Sequence, residues 1–207
     1  MVKVKICGIT RVKDAVAAAR AGADAIGLVF AMSPRQISPE AAREIISAIP
    51  PFVTPVGLFV NEFPQRIKEL ALACGFRAVQ LHGDEPPEYL AELQGLKIIK
   101  AFRIHTRDDL QALGSYQADA YLLDAFTSER RGGTGKTFDW KIGLEAKKIG
   151  PIILAGGLTP ENVAQAVSLV EPYGVDVSSG VEAAPGEKDA RLVEEFIRAA
   201  KQVGNQA

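Results

Sequence analysis

Short runs rich in Val, Ile, Leu and Ala alternate with amphipathic stretches of about three turns along the chain, and this alternation limits the fold more than any single residue. Strands that are apolar throughout belong to sheets covered on both faces, and runs of βα units build parallel sheets with helices outside. The strands read as Val2–Cys7, Ala25–Phe30, Pro55–Val60, Ala78–Leu81, Lys97–Phe102, Ala120–Leu123, Ile152–Ala155 and Val175–Val177. The helices read as Lys13–Ala21, a segment from Ser38-Pro39-Glu40, Pro64–Cys74, Pro86–Leu93, Thr106–Leu113, Phe138–Ile149, a segment capped by Thr159-Pro160-Glu161-Asn162, and Lys188–Val203. Thr10 stands where it would cap the first helix. Ser38 and Pro39 give the second an N-cap and a proline at its first position. Eight such units predict an α/β fold, a single-domain (βα)8 TIM barrel over residues 1–207. An open doubly wound sheet is the competing fold, but no GxGxxG follows the first strand.

Composition removes several classes of function. Hydrophobic residues make up 47% of the 207 and charged ones 24%, enough for a packed core. The net charge is -1 with both signs scattered, so no basic field for nucleic acid exists. No apolar run approaches the roughly 18 residues of a membrane span. Met1 leads straight into the first strand without a signal peptide, and Cys7 and Cys74 are too few for a disulfide framework. A reduced, cytoplasmic protein is expected, with no nucleic-acid or membrane partner.

In such a barrel the active site forms at the carboxyl ends of the strands. There the sequence places Cys7, the Ser33–Arg35 loop, Asn61, His82, Arg103, Asp124, the Gly156-Gly157 turn and the Ser178-Ser179-Gly180 turn. Loops at the other end, such as Gly22-Ala23 and Ala118-Asp119, carry far less chemistry. Glycines after strands seven and eight let backbone N–H groups approach an anion, which marks a phosphate site; tight turns use glycine equally well. Cys7 is a nucleophile or base only as thiolate, and Lys5 on the same strand face would favour that form. An inert buried cysteine is the alternative. Asp124 ends a wholly apolar strand, where partial desolvation raises a carboxyl pKa and suits a general acid. A cap, or an ion pair with Arg130 or Lys136, is the other reading. His82 shares a face with Gln80 and either contacts ligand or satisfies a rim hydrogen bond. Arg35 can grip a carboxylate through both arms of its fork. Asp176, inside strand eight, needs a partner, and Lys5 across the closed barrel is the candidate. His105 reads as an exposed loop residue. Two histidines and no carboxylates at ligand spacing argue against a catalytic metal. Gly-Gly-Thr-Gly-Lys136 is not a P-loop, because Arg130 stands where its first glycine is required.

Taken in order, Lys5-Ile6-Cys7-Gly8-Ile9-Thr10, Gly22-Ala23-Asp24-Ala25-Ile26-Gly27, Ser33-Pro34-Arg35, Gly57-Leu58-Phe59-Val60-Asn61, Gln80-Leu81-His82-Gly83, Leu122-Leu123-Asp124, Gly132-Gly133-Thr134-Gly135-Lys136-Thr137-Phe138-Asp139-Trp140, Ala155-Gly156-Gly157-Leu158 and Asp176-Val177-Ser178-Ser179-Gly180-Val181-Glu182 resemble phosphoribosylanthranilate isomerases. The resemblance spans nearly the whole chain. It implies a (βα)8 barrel that performs an Amadori rearrangement of a phosphosugar in tryptophan biosynthesis, with no cofactor and no metal. By motif it makes Cys7 the general base and Asp124 the general acid. It gives Arg35 the anthranilate carboxylate and the two glycine turns the phosphate, with Phe126 a candidate to pack over the ring. Another phosphosugar isomerase or synthase barrel, or a phosphate-binding barrel without catalysis, is the alternative. Phe52 and Phe63 are candidates for a homodimer interface.

Overall fold

Eight parallel strands close into a barrel in the computed structural model, which describes residues 1–104, 106–124 and 141–203. They are β1 (Lys3–Ile6), β2 (Ala25–Val29), β3 (Thr54–Phe59), β4 (Ala78–Leu81), β5 (Lys97–Arg103), β6 (Ala120–Asp124), β7 (Ile152–Ala155) and β8 (Gly174–Val177). Each pairs with its sequence neighbours, and β8 returns to β1 with Lys5 opposite Asp176. The barrel is therefore the one expected, and the open sheet is excluded by the β1–β8 pairing.

The strand residues alternate as a parallel barrel requires. Val2, Val4 and Ile6 point outward into a large apolar layer, whereas Lys5 and Cys7 point inward. The α-helices in the described residues are α1 (Val12–Ala21), α2 (Pro39–Ala48), α3 (Pro64–Cys74), α4 (Lys141–Ala146), α5 (Val163–Val170) and α6 (Ala190–Val203). The layer between them and the barrel holds the fully buried Phe59, Phe76 and Phe196. Phe30 stacks on Phe59 with ring centroids 5.2 Å apart, and Phe76 leans on both. A second, smaller cluster of Ala101, Ala120, Leu122, Ile153 and Ala155 plugs the barrel interior.

Several local expectations are corrected. After β4 and β5 the connections are 3₁₀ helices, Pro87–Leu93 and Arg107–Ser115, rather than α-helices. A 3₁₀ helix rises about 2.0 Å per residue against about 1.5 Å, so a short segment still spans the length of the barrel wall. Thr10 does not cap α1: the N-cap is Arg11, and the Thr10 hydroxyl donates to the Gly186 carbonyl. The Thr159-Pro160-Glu161-Asn162 stretch does lead into α5 as expected, with Asn162 at the N-cap and its Oδ1 accepting from the Thr159 N–H. The last helix begins at Ala190, because Lys188 belongs to a small hairpin, β9 (Glu182–Ala184) with β10 (Glu187–Lys188). The expectations placed on His105, on Arg130 and Lys136, on Phe126 and on the start of the Phe138 helix lie outside the described residues.

The three-ring cluster carries a stability prediction. Phe59→Ala should destabilise the barrel by about 3–5 kcal/mol, the usual range for a buried aromatic truncated in a core that cannot collapse. The check is a lower urea midpoint at unchanged m value. A loss under about 1 kcal/mol would mean that Phe30 and Phe76 close over the gap.

Candidate active site

Ten of the residues placed at the site by sequence reach one cavity of about 470 Å³ at the carboxyl ends of the strands: Cys7, Arg35, His82, Asp124, Gly156, Gly157, Asp176, Ser178, Ser179 and Gly180. Asn61 and Arg103, also at strand ends, do not line it. Asn61 instead holds the next loop, its backbone at φ 50° and its Oδ1 accepting from Asp84 N–H at 2.7 Å.

Cys7 stands one residue beyond β1, with its N–H on the Val177 carbonyl at 2.8 Å. Gly27 on the neighbouring strand makes room for it: a Cβ there would lie 2.6 Å from the Cys7 sulfur. The thiol is almost wholly buried, and burial pushes its pKa up. The Lys5 and Lys188 ammonium groups pull the other way and Asp176 adds to the rise, but burial prevails. The expected pull of Lys5 on Cys7 is therefore present and insufficient to make a thiolate in the resting protein. Lys5 itself is 5% exposed, and burial would strip its proton. Asp176 and Cys7 hold that proton on, and the Lys5 pKa ends above its usual value.

The expected Lys5–Asp176 pair forms, with Nζ 2.8 Å from Oδ1. Lys5 Nζ also donates to Gln80 Oε1 at 2.8 Å. Gln80 Nε2 meets His82 Nδ1 at 3.1 Å, and His82 Nε2 stands 3.3 Å from Asp124 Oδ2. Asp124, at the end of β6, is about a quarter exposed at its side chain (25%) and opens onto the cavity.

Arg35 does grip a carboxylate through two arms, but that carboxylate belongs to the protein. Its Nε and Nη2 donate to Glu182 Oε1 and Oε2 at 2.7 and 2.6 Å. Lys188 Nζ adds a third bond to Glu182 at 2.8 Å. Burial would raise the Glu182 carboxyl, yet Arg35 and Lys188 together hold it below its ordinary range. Burial likewise lowers the Lys188 pKa, against the pull of Glu182. Sequence reasoning missed Glu182, Lys188 and Gln80 as site residues; the signals were a carboxylate two residues past the Ser178-Ser179-Gly180 turn and an amide on the His82 face.

The turns after β7 and β8 are built for close approach. Gly156 and Gly157 have φ of 80° and 67°, and Gly157 has nothing within 4 Å of where a Cβ would point. Gly180 packs against Leu158, whose carbonyl oxygen would lie 2.0 Å from a Cβ. The two turns thus abut and leave a shelf of backbone at one side of the mouth.

A parallel eight-stranded barrel with a thiol, a carboxylate and a glycine shelf at its carboxyl mouth places the chain in the class of (βα)8 barrels with a polar site at the strand ends. The family model for N-(5'-phosphoribosyl)anthranilate isomerase matches residues 4–199. The N-(5'-phosphoribosyl)anthranilate isomerase of Geobacter sulfurreducens is 54% identical over 202 residues, covering 97% of this chain and 99% of that protein. The phosphoribosylanthranilate isomerase of Thermotoga maritima superposes with a TM-score of 0.91 at 46% identity, covering 98% of this chain and all (100%) of that one. A phosphoribosylanthranilate isomerase solved with reduced 1-(o-carboxyphenylamino)-1-deoxyribulose 5-phosphate gives 0.89 at 44% identity, over 98% of this chain and 100% of that one. The chain belongs to the N-(5'-phosphoribosyl)anthranilate isomerase family.

The Arg35–Glu182–Lys188 cluster sets a pH dependence. A carboxyl whose folded pKa lies below its unfolded one stabilises fully above the unfolded value, about 4.3 for Glu, and loses that contribution as pH falls through the folded pKa. Glu182→Gln should therefore be less stable than the parent near pH 7, with the difference shrinking below about pH 4. Urea midpoints across that range check it, and a difference that stays constant with pH would overturn it.

Proposed function

We propose that the chain converts N-(5'-phosphoribosyl)anthranilate into 1-(2-carboxyphenylamino)-1-deoxyribulose 5-phosphate, an Amadori rearrangement of tryptophan biosynthesis, with Cys7 as general base and Asp124 as general acid. The observation that carries the assignment is the placement of that thiol and that carboxyl at the ends of β1 and β6, facing one 470 Å³ cavity. Asp124 gives its proton to the furanose ring oxygen as the ring C–O bond breaks, leaving a Schiff base at the sugar's first carbon. Cys7, as thiolate, removes the proton from the second carbon, and the resulting enolamine tautomerises to the ketone. Each role is typically worth about 10²–10⁴-fold. The resting thiol must lose its proton first, and the Lys5 and Lys188 charges lower the cost of that step.

The substrate's two anions have matching partners. The phosphate suits the shelf of Gly156, Gly157, Ser178, Ser179 and Gly180. Glu182 uses the Nε–Nη2 edge of Arg35, so the anthranilate carboxylate takes the Nη1 side of the fork. His82 and Asp176 face the sugar, and Asp176 keeps Oδ1 on Lys5. No metal or cofactor takes part in this scheme. Among the described residues no helix is long and apolar enough to cross a membrane, and the cytoplasm is the compartment we assign.

Turnover of freshly generated substrate, followed by loss of anthranilate fluorescence, tests the scheme. Cys7→Ala and Asp124→Ala should each lose at least about a hundredfold in kcat while still binding a product analogue. A wild-type protein that binds the analogue without turnover would establish the non-catalytic binding barrel instead.

We further propose a homodimer through the amino-terminal mouth. Phe52 is 96% exposed there, beside a cavity of about 530 Å³ lined by Val56, Ile99, Ala120, Ile153 and Val175. The similar Thermotoga maritima isomerase is described as dimeric. Phe52→Glu should halve the mass measured by analytical ultracentrifugation; a wild-type monomer at micromolar concentration removes the proposal.

A further inference from the structure

One line of polar side chains crosses the barrel from seam to acid. It runs from Asp176 Oδ1 to Lys5 Nζ, from Lys5 to Gln80 Oε1, from Gln80 Nε2 to His82 Nδ1, and from His82 Nε2 toward Asp124 Oδ2. Chemistry fixes every proton along it. An ammonium can only donate, so the Gln80 atom facing Lys5 is the carbonyl oxygen. The amide nitrogen is then the Gln80 atom facing the imidazole, and it too can only donate. His82 Nδ1 must therefore accept, which puts the imidazole's single proton on Nε2, 3.3 Å from Asp124 Oδ2. A second proton, on Nδ1, would point into the Gln80 N–H₂. Gln80 is 1% exposed, and no water competes for this contact from that side.

We infer that Gln80 is a positioning residue for the isomerisation: it locks His82 as the neutral Nε2–H tautomer, so that His82 donates to Asp124 Oδ2 and leaves Oδ1 to carry the transferable proton. The inference rests on Asp124 being the acid. When the ring C–O bond breaks, the Oδ1 proton passes to the sugar oxygen and the electron pair left on Asp124 is met by the His82 N–H already in place. His82 keeps its own proton throughout and is not itself the acid. The 3.3 Å separation is long for a hydrogen bond, as contacts to catalytic groups often are before ligand binds.

The surroundings hold this arrangement still. The His82 backbone N–H donates to the Phe59 carbonyl at 2.9 Å. Behind the loop, the buried Lys100 pairs with Glu85 at 3.1 Å and donates to the Gly83 carbonyl at 2.8 Å. Glu85 in turn accepts from the N–H groups of Asn61 and Gly83. Among the described residues, the charged groups near the imidazole are Asp124 in front, the Lys5–Asp176 pair behind Gln80, the Lys100–Glu85 pair behind the loop, and Arg103 beside Asp124 in the β5–β6 register.

The test is long-range ¹⁵N–¹H NMR of the ¹⁵N-histidine-labelled full chain at neutral pH. The chain has 2 histidines, and the His82 signals are those lost in His82→Gln. The expected result is a protonated Nε2 and an unprotonated Nδ1; the opposite tautomer, or an imidazolium, overturns the inference without any variant having to fold. Gln80→Glu reverses the instruction, since a carboxylate accepts from both neighbours, and an Nδ1–H signal should emerge. In kinetics, Gln80→Met should lower kcat by about ten- to a hundredfold with KM nearly unchanged, and His82→Gln should outperform His82→Leu by retaining an N–H. A normal tautomer with a fully active Asp124→Ala would instead remove the acid assignment and leave the lock standing.

Discussion

A buried ammonium governs this barrel. Lys5 points into the interior from β1 and is 5% exposed, a position in which an unpaired charge costs several kcal/mol. Its carboxylate partner, Asp176, comes from β8, 171 residues away, and the two are register partners across the seam that closes the sheet. The pair exists only when β1 and β8 lie side by side, so barrel closure and satisfaction of Lys5 are one event. No buried side-chain nitrogen or oxygen among the described residues lacks a partner, so the interior carries this charge without an orphan group. The proposed catalytic groups hang on the same pair. Cys7 lies two residues on along the same face of β1, and Gln80 and His82 continue the polar line toward Asp124.

A second clamp closes the mouth above Cys7. Arg35 from the loop after β2 reaches Glu182 after β8, with Lys188 from the following hairpin on the same carboxylate. The Arg35 stem runs over Gly8, where a Cβ would lie 2.4 Å from Arg35 Cδ. One carboxylate thus gathers two cations beside a thiol whose ionised form they favour. Two opposing demands meet here. For the proposed base, sulfur must be dry enough to exclude water, which raises its pKa, and near enough to positive charge to ionise when substrate arrives. Burial outweighs the pull of Lys5 and Lys188, and Asp176 adds to the rise, so the resting pKa of Cys7 lies above its usual value with two ammonium groups nearby.

Much of this was legible in the chain because the fold repeats a local rule. Apolar runs mark the strands, period-two alternation tells which side chains face inward, and the last inward residue of a strand is a candidate for the site. That rule alone reaches Cys7, His82 and Asp124, and it pairs Lys5 with Asp176 once closure is assumed. It cannot reach Arg35's actual partner, which lies 147 residues away with no local mark. The hairpin Glu182–Lys188 was hidden for a similar reason: its strands are 3 and 2 residues long, too short to alternate visibly. The 3₁₀ segments escaped because amphipathic spacing at three and four residues fits both helix types. The ionisation of Cys7 was beyond sequence because it balances burial against charges from two strands and a hairpin.

Cavity size does not distinguish the two mouths of the barrel, at about 470 and 530 Å³. The partners of their carboxylates do. At the amino-terminal mouth Asp24 accepts from the Val4 N–H and the Lys3 ammonium, at 2.9 and 3.1 Å. Four units later Asp119 does the same with the Ile98 N–H and Lys97, at 2.9 and 2.6 Å. Each splices the start of one strand to its neighbour, in matching positions half a barrel apart, and Lys201 from α6 adds a further bond to Asp24 at 2.9 Å. Both oxygens of each carboxylate are committed to backbone and lysine, which favours the ionised form and leaves no lone proton to exchange. At the carboxyl mouth Asp124 lines the cavity, and among the described residues its side chain meets the His82 imidazole at 3.3 Å. The same side chain is committed to a structural splice at one end of the barrel and opens onto the cavity at the other, which is where the proposed acid must stand to meet a substrate.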